Sequence, residues 1–189
     1  AASGLQNGEV DWWENPITDL VPLLRRNRNV RADIADPLGN IGTFRMNHLT
    51  KPFNNLKARQ AVMAALNQED YMRALVGNDD ALWKRIPGYF TPGTPLYTEE
   101  GGDILKGPRN MDLAKRLLAE SGYDGTPVPC IIAQDQPVTK NMGDVTADLL
   151  KRIGFNVDFV ATDWGTTGQR RAMKNPVGQG GWSMFHSWH

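Results

Sequence analysis

The stretch between residues 126 and 159 constrains this chain more than any other. "TPVPCIIAQD" has the apolar, branched content of a buried strand. Behind it, Met142, Val145, Leu149, Leu150 and Ile153 recur along one face of a helix, and Gly154 supplies the left-handed stop. Phe155, Val157 and Phe159 then alternate as a strand does. A helix, a glycine and a strand in that order form a compact αβ unit, whose apolar faces are buried by layering helices on a sheet.

The segments around this unit agree with it. Ala1 to Asn7 reads as a helical entry and "GEVDWWENP" as a short strand. "ITDLVPLLRRN" predicts a short helix, capped by Thr18 or Asp19, with Pro22 confined to its first turn. Val30, Ala32 and Ile34 alternate with Arg31 and Asp33, the pattern of a half-buried strand. "DPLGN" is a turn, and "IGTFRMNHL" a further strand. "NNLKARQAVMAALNQEDYMRALVG" predicts two consecutive helices. Asn55 caps the first, and Asn67 with Asp70 forms a capping box for the second, which Gly77 ends.

Residues 78–109 are rich in Pro and Gly and have no period; loops this long inside compact domains are usually functional. Asn110 then caps a helix with Leu113, Ala114, Leu117 and Leu118 on its apolar stripe, an Asp112–Arg116 pair at i,i+4, and Gly122 at its end. "TTGQRRAMKN" reads as a short helix, "PVGQGG" as a loop and "WSMFHSW" as the last strand. The fold class is therefore α/β: a mixed β-sheet of about six strands with about six flanking helices.

A length of 189 residues fits one domain with a sizeable core. The formal net charge is zero, which argues against nucleic acid as the main partner. No apolar run reaches the roughly 20 residues of a membrane span. Cys130 is the only cysteine, which excludes an internal disulfide and thiolate metal clusters. His186 and His189 are three apart, and a strand sends such a pair to opposite faces, so no metal site is expected there. Ser183 lacks a nucleophile-elbow setting, and "GNIG" and "GQGG" match neither a dinucleotide fingerprint nor a P-loop. Arg59 reads as a solvated or capping arginine, and Arg170 and Arg171 as a solvated helix face. No acid, base and nucleophile assemble, so binding without a cofactor is favoured over catalysis.

The order of segments then resembles a known family. "GEVDWWENP", "NHLTKPFNNLKARQAVMAALNQEDYMRALVG", "NMDLAKRLLAESGYDG", "VTADLLKRIGFNVDF" and "GGW" follow one another as in the solute-binding proteins of ABC importers. The likeness is to the peptide/nickel class, extracellular solute-binding protein family 5. Such proteins are longer and fold as two lobes around a hinge, with the solute trapped between them. The resemblance implies that residues 1–189 form a single ligand-binding lobe, the second, cut from a longer protein. It also explains why the chain closes on "GGWSMFHSWH", whose strand would run on into the other lobe. A small-molecule solute and a membrane permease are the implied partners, in the periplasm or outside the cell, for a protein acting as a monomer.

Peptide-binding relatives hold the ligand's ammonium with an Asp shortly after the Gly-Trp of this strand. Here Ser183, Met184, Phe185 and His186 follow Trp182, and no acid is present. Some relatives carry an Arg just before that Trp, where this chain has "PVGQGG" and only Gln179. A buried ammonium without a carboxylate partner costs several kcal/mol. A conventionally anchored di- or oligopeptide is therefore disfavoured against an apolar, stacking or hydroxyl-rich solute. Trp182, Phe185 and His186 are candidate ligand residues, although strict alternation sets Phe185 opposite Trp182 and His186. Asp163 and Trp164 follow a strand's end, where α/β folds place ligand loops. Phe44, Asn47 and Trp188 are hinge candidates. Two other readings compete: a sensory or regulatory lobe, and a small α/β enzyme.

Overall fold

The computed structural model describes residues 1–189. Its four strands are β1 (Gly42–Met46), β2 (Val128–Ala133), β3 (Val157–Thr162) and β4 (Met184–Trp188), which form one sheet in the order β1-β4-β2-β3. β1 runs antiparallel to β4, with Thr43 opposite Ser187 and Phe44 opposite His186. β2 is parallel to β3, with Cys130 opposite Phe159, and parallel to β4, where Cys130 faces Met184. The last strand is thus central, and Met184 through Ser187 are buried.

The helices are α1 (Ala2–Gln6), α2 (Val21–Arg25), α3 (Leu56–Ala65), α4 (Gln68–Val76), α5 (Asp103–Lys106), α6 (Met111–Glu120), α7 (Pro137–Ile153) and α8 (Trp164–Arg170). Three asparagines start α3, α4 and α6. Asn55 Oδ1 accepts from the amides of Lys57 and Ala58, Asn67 from that of Glu69, and Asn110 from that of Leu113. α7 ends at Gly154, whose φ of 119° is open to glycine and strained for other residues.

The core lies where α3, α6 and α7 cover one face of the sheet. On α3, Ala58, Ala61, Val62 and Ala65 are buried at helical spacing against Ala114 and Leu118 of α6. Val128, Cys130 and Ile132 of β2 and Met184 of β4 enter the same cluster. Burial pushes the Cys130 thiol up to about 12, so it packs as a protonated, apolar group.

α7 meets β2 at Gly143. A Cβ there would lie 2.5 Å from Ile132 Cγ2 and 2.8 Å from its Cγ1. Gly143→Ala removes a poor helix former, worth up to about 1 kcal/mol, but overpacks the interface at about 1–3 kcal/mol. The expected net effect is a loss of about 1–2 kcal/mol, read as a lower urea midpoint at unchanged slope. An unchanged or higher midpoint would show that Ile132 can move aside.

Several sequence expectations are corrected. The sheet has four strands rather than about six. "GEVDWWENP" is turn and coil, with Trp12 72% exposed, and Val30 to Ile34 is coil, with Ile34 63% exposed. Alternation makes a strand only where a neighbour completes the backbone ladder, and neither segment joins the sheet. Neither Thr18 nor Asp19 caps α2, which a 3₁₀ turn over Thr18–Leu20 precedes. Thr18 Oγ1 instead donates to the Leu75 carbonyl of α4 (3.2 Å). Asp112 and Arg116 form no ion pair, and α8 begins at Trp164 and stops at Arg170, before the end of "TTGQRRAMKN". No helix is long and apolar enough to cross a membrane.

Candidate functional site

Because β2, β3 and β4 are parallel, their C-terminal ends share one edge of the sheet, the edge where open α/β sheets bind ligands. Trp188 closes β4 there, and Trp164 opens α8 directly after β3. Their ring centroids are 5.7 Å apart at 31°. The Trp164 amide donates to Asp135 Oδ1 (2.9 Å), and the Arg171 guanidinium lies 6.0 Å from the Trp164 ring centre. Asp163 caps α8, with Oδ1 accepting from the Thr166 amide (2.8 Å) and Oδ2 from the Thr166 hydroxyl (2.6 Å). The hydroxyl first, then the amide, holds its carboxyl below the usual range.

On the β1 side of the same edge, the His189 and Tyr89 rings lie 5.3 Å apart at 35°. Ile41 and His189 exchange backbone hydrogen bonds of 2.8 and 3.2 Å there. The edge therefore presents two tilted aromatic pairs, Trp164–Trp188 and Tyr89–His189.

A cavity of about 240 Å³, open to solvent on one side, lies beside Tyr89 and is lined by residues of β1, α3, α4, α7 and the segment from Lys84 to Leu105. Phe44, Met63, Leu66, Met72, Ile86 and Met142 give it an apolar wall. His186 also lines it, 3% exposed, within a directed hydrogen-bond chain. His186 Nδ1 is 3.1 Å from the Thr43 carbonyl, and since a carbonyl only accepts, Nδ1 carries the proton. Nε2 then accepts from the Thr146 hydroxyl (2.8 Å), which in turn accepts from the Tyr71 hydroxyl (2.7 Å). Burial drives the imidazole down to about 4, so it is neutral, and raises the Tyr71 phenol.

The side chains singled out from the sequence fall in three places. Asp163, Trp164 and Trp188 meet at the C-terminal edge. His186 and Phe44, rings 5.3 Å apart, stand at the cavity. Trp182 and Phe185 sit toward the other end of β4, where a bend at Ser183 breaks the alternation and brings their rings edge-on at 5.1 Å. Six residues separate Trp182 from Trp188, roughly 20 Å of strand. Asn47 belongs to this third group, donating from Nδ2 to the Trp182 carbonyl (2.9 Å) and accepting from the Leu49 amide (3.0 Å). Phe185 is 5% exposed and Trp182 partly exposed.

Arg170 is not simply solvated: its Nη2 donates to the Gly180 and Gly181 carbonyls at 3.2 and 3.1 Å. Arg59 Nη1 donates to the Phe53 carbonyl at 2.6 Å, tying α3 to the turn before it rather than capping a helix end. Tyr89 is legible in the sequence only through its place in the long unpatterned stretch from 78 to 109, and Met142 only as a member of the α7 apolar face.

Residues 1–188 match the family "Bacterial extracellular solute-binding proteins, family 5 Middle". The chain is 34% identical over 192 residues to the probable peptide ABC transporter periplasmic-binding protein y4tO of Sinorhizobium fredii, covering 98% of this chain and 35% of that protein. It is 27% identical to the glutathione-binding protein GsiB of Salmonella typhimurium, again over 98% of this chain and 35% of the relative. The chain thus spans about a third of the length of the curated relatives it matches. Among solved structures, its fold is similar to that of the ABC transporter substrate-binding protein CtaP from Listeria monocytogenes, with a TM-score of 0.79, 18% identity, and coverage of 100% of this chain and 37% of that one. The periplasmic binding protein DppA from Helicobacter pylori, in complex with the peptide STSA, gives 0.79 and 21% over 100% and 34%. With a mixed four-stranded sheet of this topology and a family match running from residue 1 to residue 188, the chain belongs to the bacterial extracellular solute-binding proteins of family 5.

Proposed function

We propose that residues 1–189 are one lobe of an ABC-importer solute-binding protein, which closes on a small solute against a second lobe of a longer protein. The single observation that carries the reading is the two tilted aromatic pairs, Trp164–Trp188 and Tyr89–His189, at the C-terminal edge of parallel strands. Flat apolar faces with polar tips suit a solute that is gripped without chemistry. Contacts made only in the closed state give the ligand its differential affinity, and that difference shifts the lobes from open to closed. The closed monomer then delivers the solute to a membrane permease outside the cytoplasm. Phe44 on β1 and Trp188 on β4 are the proposed hinge positions; Asn47, also a hinge candidate from the sequence, bonds the Trp182 carbonyl at the other end of β4 and is set apart from them. Both Asp163 oxygens are taken up by Thr166, which supports a solute other than a peptide anchored through its ammonium.

The test begins with mass spectrometry of the solute that the longer protein carries through purification. Titrated calorimetrically, that solute is expected to bind the Trp188→Ala protein about 30-fold more weakly, the loss expected from removing a binding hot spot. Residues 1–189 alone should show no ligand-induced rise in melting temperature, because half of the contacts are missing. Unchanged affinity in Trp188→Ala would remove the aromatic edge from the site.

A further inference from the structure

We propose that the cavity beside Tyr89 receives the aromatic ring or branched aliphatic group of a small carboxylate-bearing molecule, whose acid group pairs with Lys84 at the mouth. The proposal rests on the solute-binding reading for its solute and on the cavity itself for its chemistry. Size comes first. An apolar cavity of about 150 Å³ holds a benzene molecule, so about 240 Å³ accommodates one ring with a short linker. Ten of its seventeen lining residues are hydrophobic, and the thioethers of Met63, Met72 and Met142 adapt to a ring face.

The polar groups inside already have partners. His186, Tyr71 and Thr146 are linked in one chain, and Thr43 Oγ1 donates to the Ser187 carbonyl (3.0 Å). Gln68 Nε2 donates to the Ile86 carbonyl (2.5 Å), and its Oε1 accepts from the Ile86 amide (2.9 Å). A trapped water needs two to four polar partners and finds few here, whereas an apolar group needs none. The Gln68 clamp also ties Ile86, a wall residue, to α4.

The mouth differs from the interior. Lys84 and Asn40 line it, both exposed. Lys84 has no carboxylate within 4.0 Å, while its neighbour Arg85 is paired with Glu69 at 2.6 Å. A lysine on the lining of an apolar cavity, with no carboxylate partner of its own, suits an apolar group that ends in an acid. A free arylalkanoic acid has that chemistry, and so does the C-terminal residue of a short peptide.

The experiment uses the longer protein with carbon-13 methyl-labelled methionine, each signal assigned by its Met→Leu variant. It is titrated separately with phenylpropionate, with the dipeptide Gly-Phe, and with the neutral alcohol phenylpropanol. The expected result is that at least one acid moves the methyl signals of Met63, Met72 and Met142 together, and the acid that does so names the source. Lys84→Met is expected to weaken that acid three- to fivefold and to leave the alcohol unchanged. Still methyls with both acids overturn the proposal, as does a Lys84→Met variant that weakens acid and alcohol alike. Trp188→Ala separates the two readings. If it abolishes capture of the co-purified solute while the methyls never move, the cavity proposal alone fails. If it leaves capture intact while the methyls do move, the aromatic edge fails and the cavity stands.

Discussion

Between pH 7 and pH 5 the protein is expected to lose about 2 kcal/mol of stability through His186 alone. The cause is burial: the ring is held down to about 4 in the folded chain, against an ordinary 6.5. Between those values the unfolded chain binds a proton that the folded chain refuses, so stability rises with pH across the window and falls as pH drops through it. Below the window the full loss is about 3 kcal/mol. Carboxylates such as Asp163, Glu69 and Glu120, held below their ordinary ranges, lose their contribution only at lower pH, so the interval from 7 to 5 isolates the imidazole. His186→Phe should abolish this slope. At pH 7 it should also cost about 2–4 kcal/mol, because the Thr43 carbonyl and the Thr146 hydroxyl each lose a partner inside the protein. Urea unfolding of both proteins at the two pH values measures both effects; an equal slope in the variant would show that His186 is not the titrating group.

Phe53→Ala is expected to cost about 3–5 kcal/mol, the range for truncating a fully buried phenylalanine. Phe53 is 0% exposed and its ring lies 5.6 Å from that of Phe155, which in turn lies 5.2 Å from Tyr123. It thereby joins the loop before α3 to the turn before β3, two segments far apart in the chain. Its carbonyl is also the anchor of Arg59, so a shifted loop would loosen that contact. Chemical denaturation is the measurement, and a loss under about 1 kcal/mol would mean that neighbouring side chains collapse into the gap.

How much of this could be read beforehand depends on the range of the interaction. The caps at Asn55, Asn67 and Asn110 and the stop at Gly154 are legible because each acts within a few residues of itself. The αβ unit is legible for the same reason. Val30, Ala32 and Ile34 carry a strand's pattern and yet form none, because pattern does not supply a ladder partner. His186 drew attention as a candidate ligand residue, but its hydrogen-bond partners lie 40 and 143 residues away. Trp164 and Trp188 were singled out for separate reasons, and only the parallel register of β3 and β4 with β2 sets them on one edge. The cavity was illegible because its wall combines β1, β4, four helices and an unpatterned segment.

The position of β4 has a consequence for how the molecule is made. Thr43 and Ser187 face each other across the sheet yet are 144 residues apart in the chain. A ribosome adding about 5–20 residues per second takes roughly 7–30 s to reach the second after the first. For that interval the backbone of Gly42–Met46 has no β4 to bond, and Val128–Ala133 lacks its neighbour on the same side. Until translation has passed Trp188, the two strands that flank β4 stay without it and the sheet cannot close.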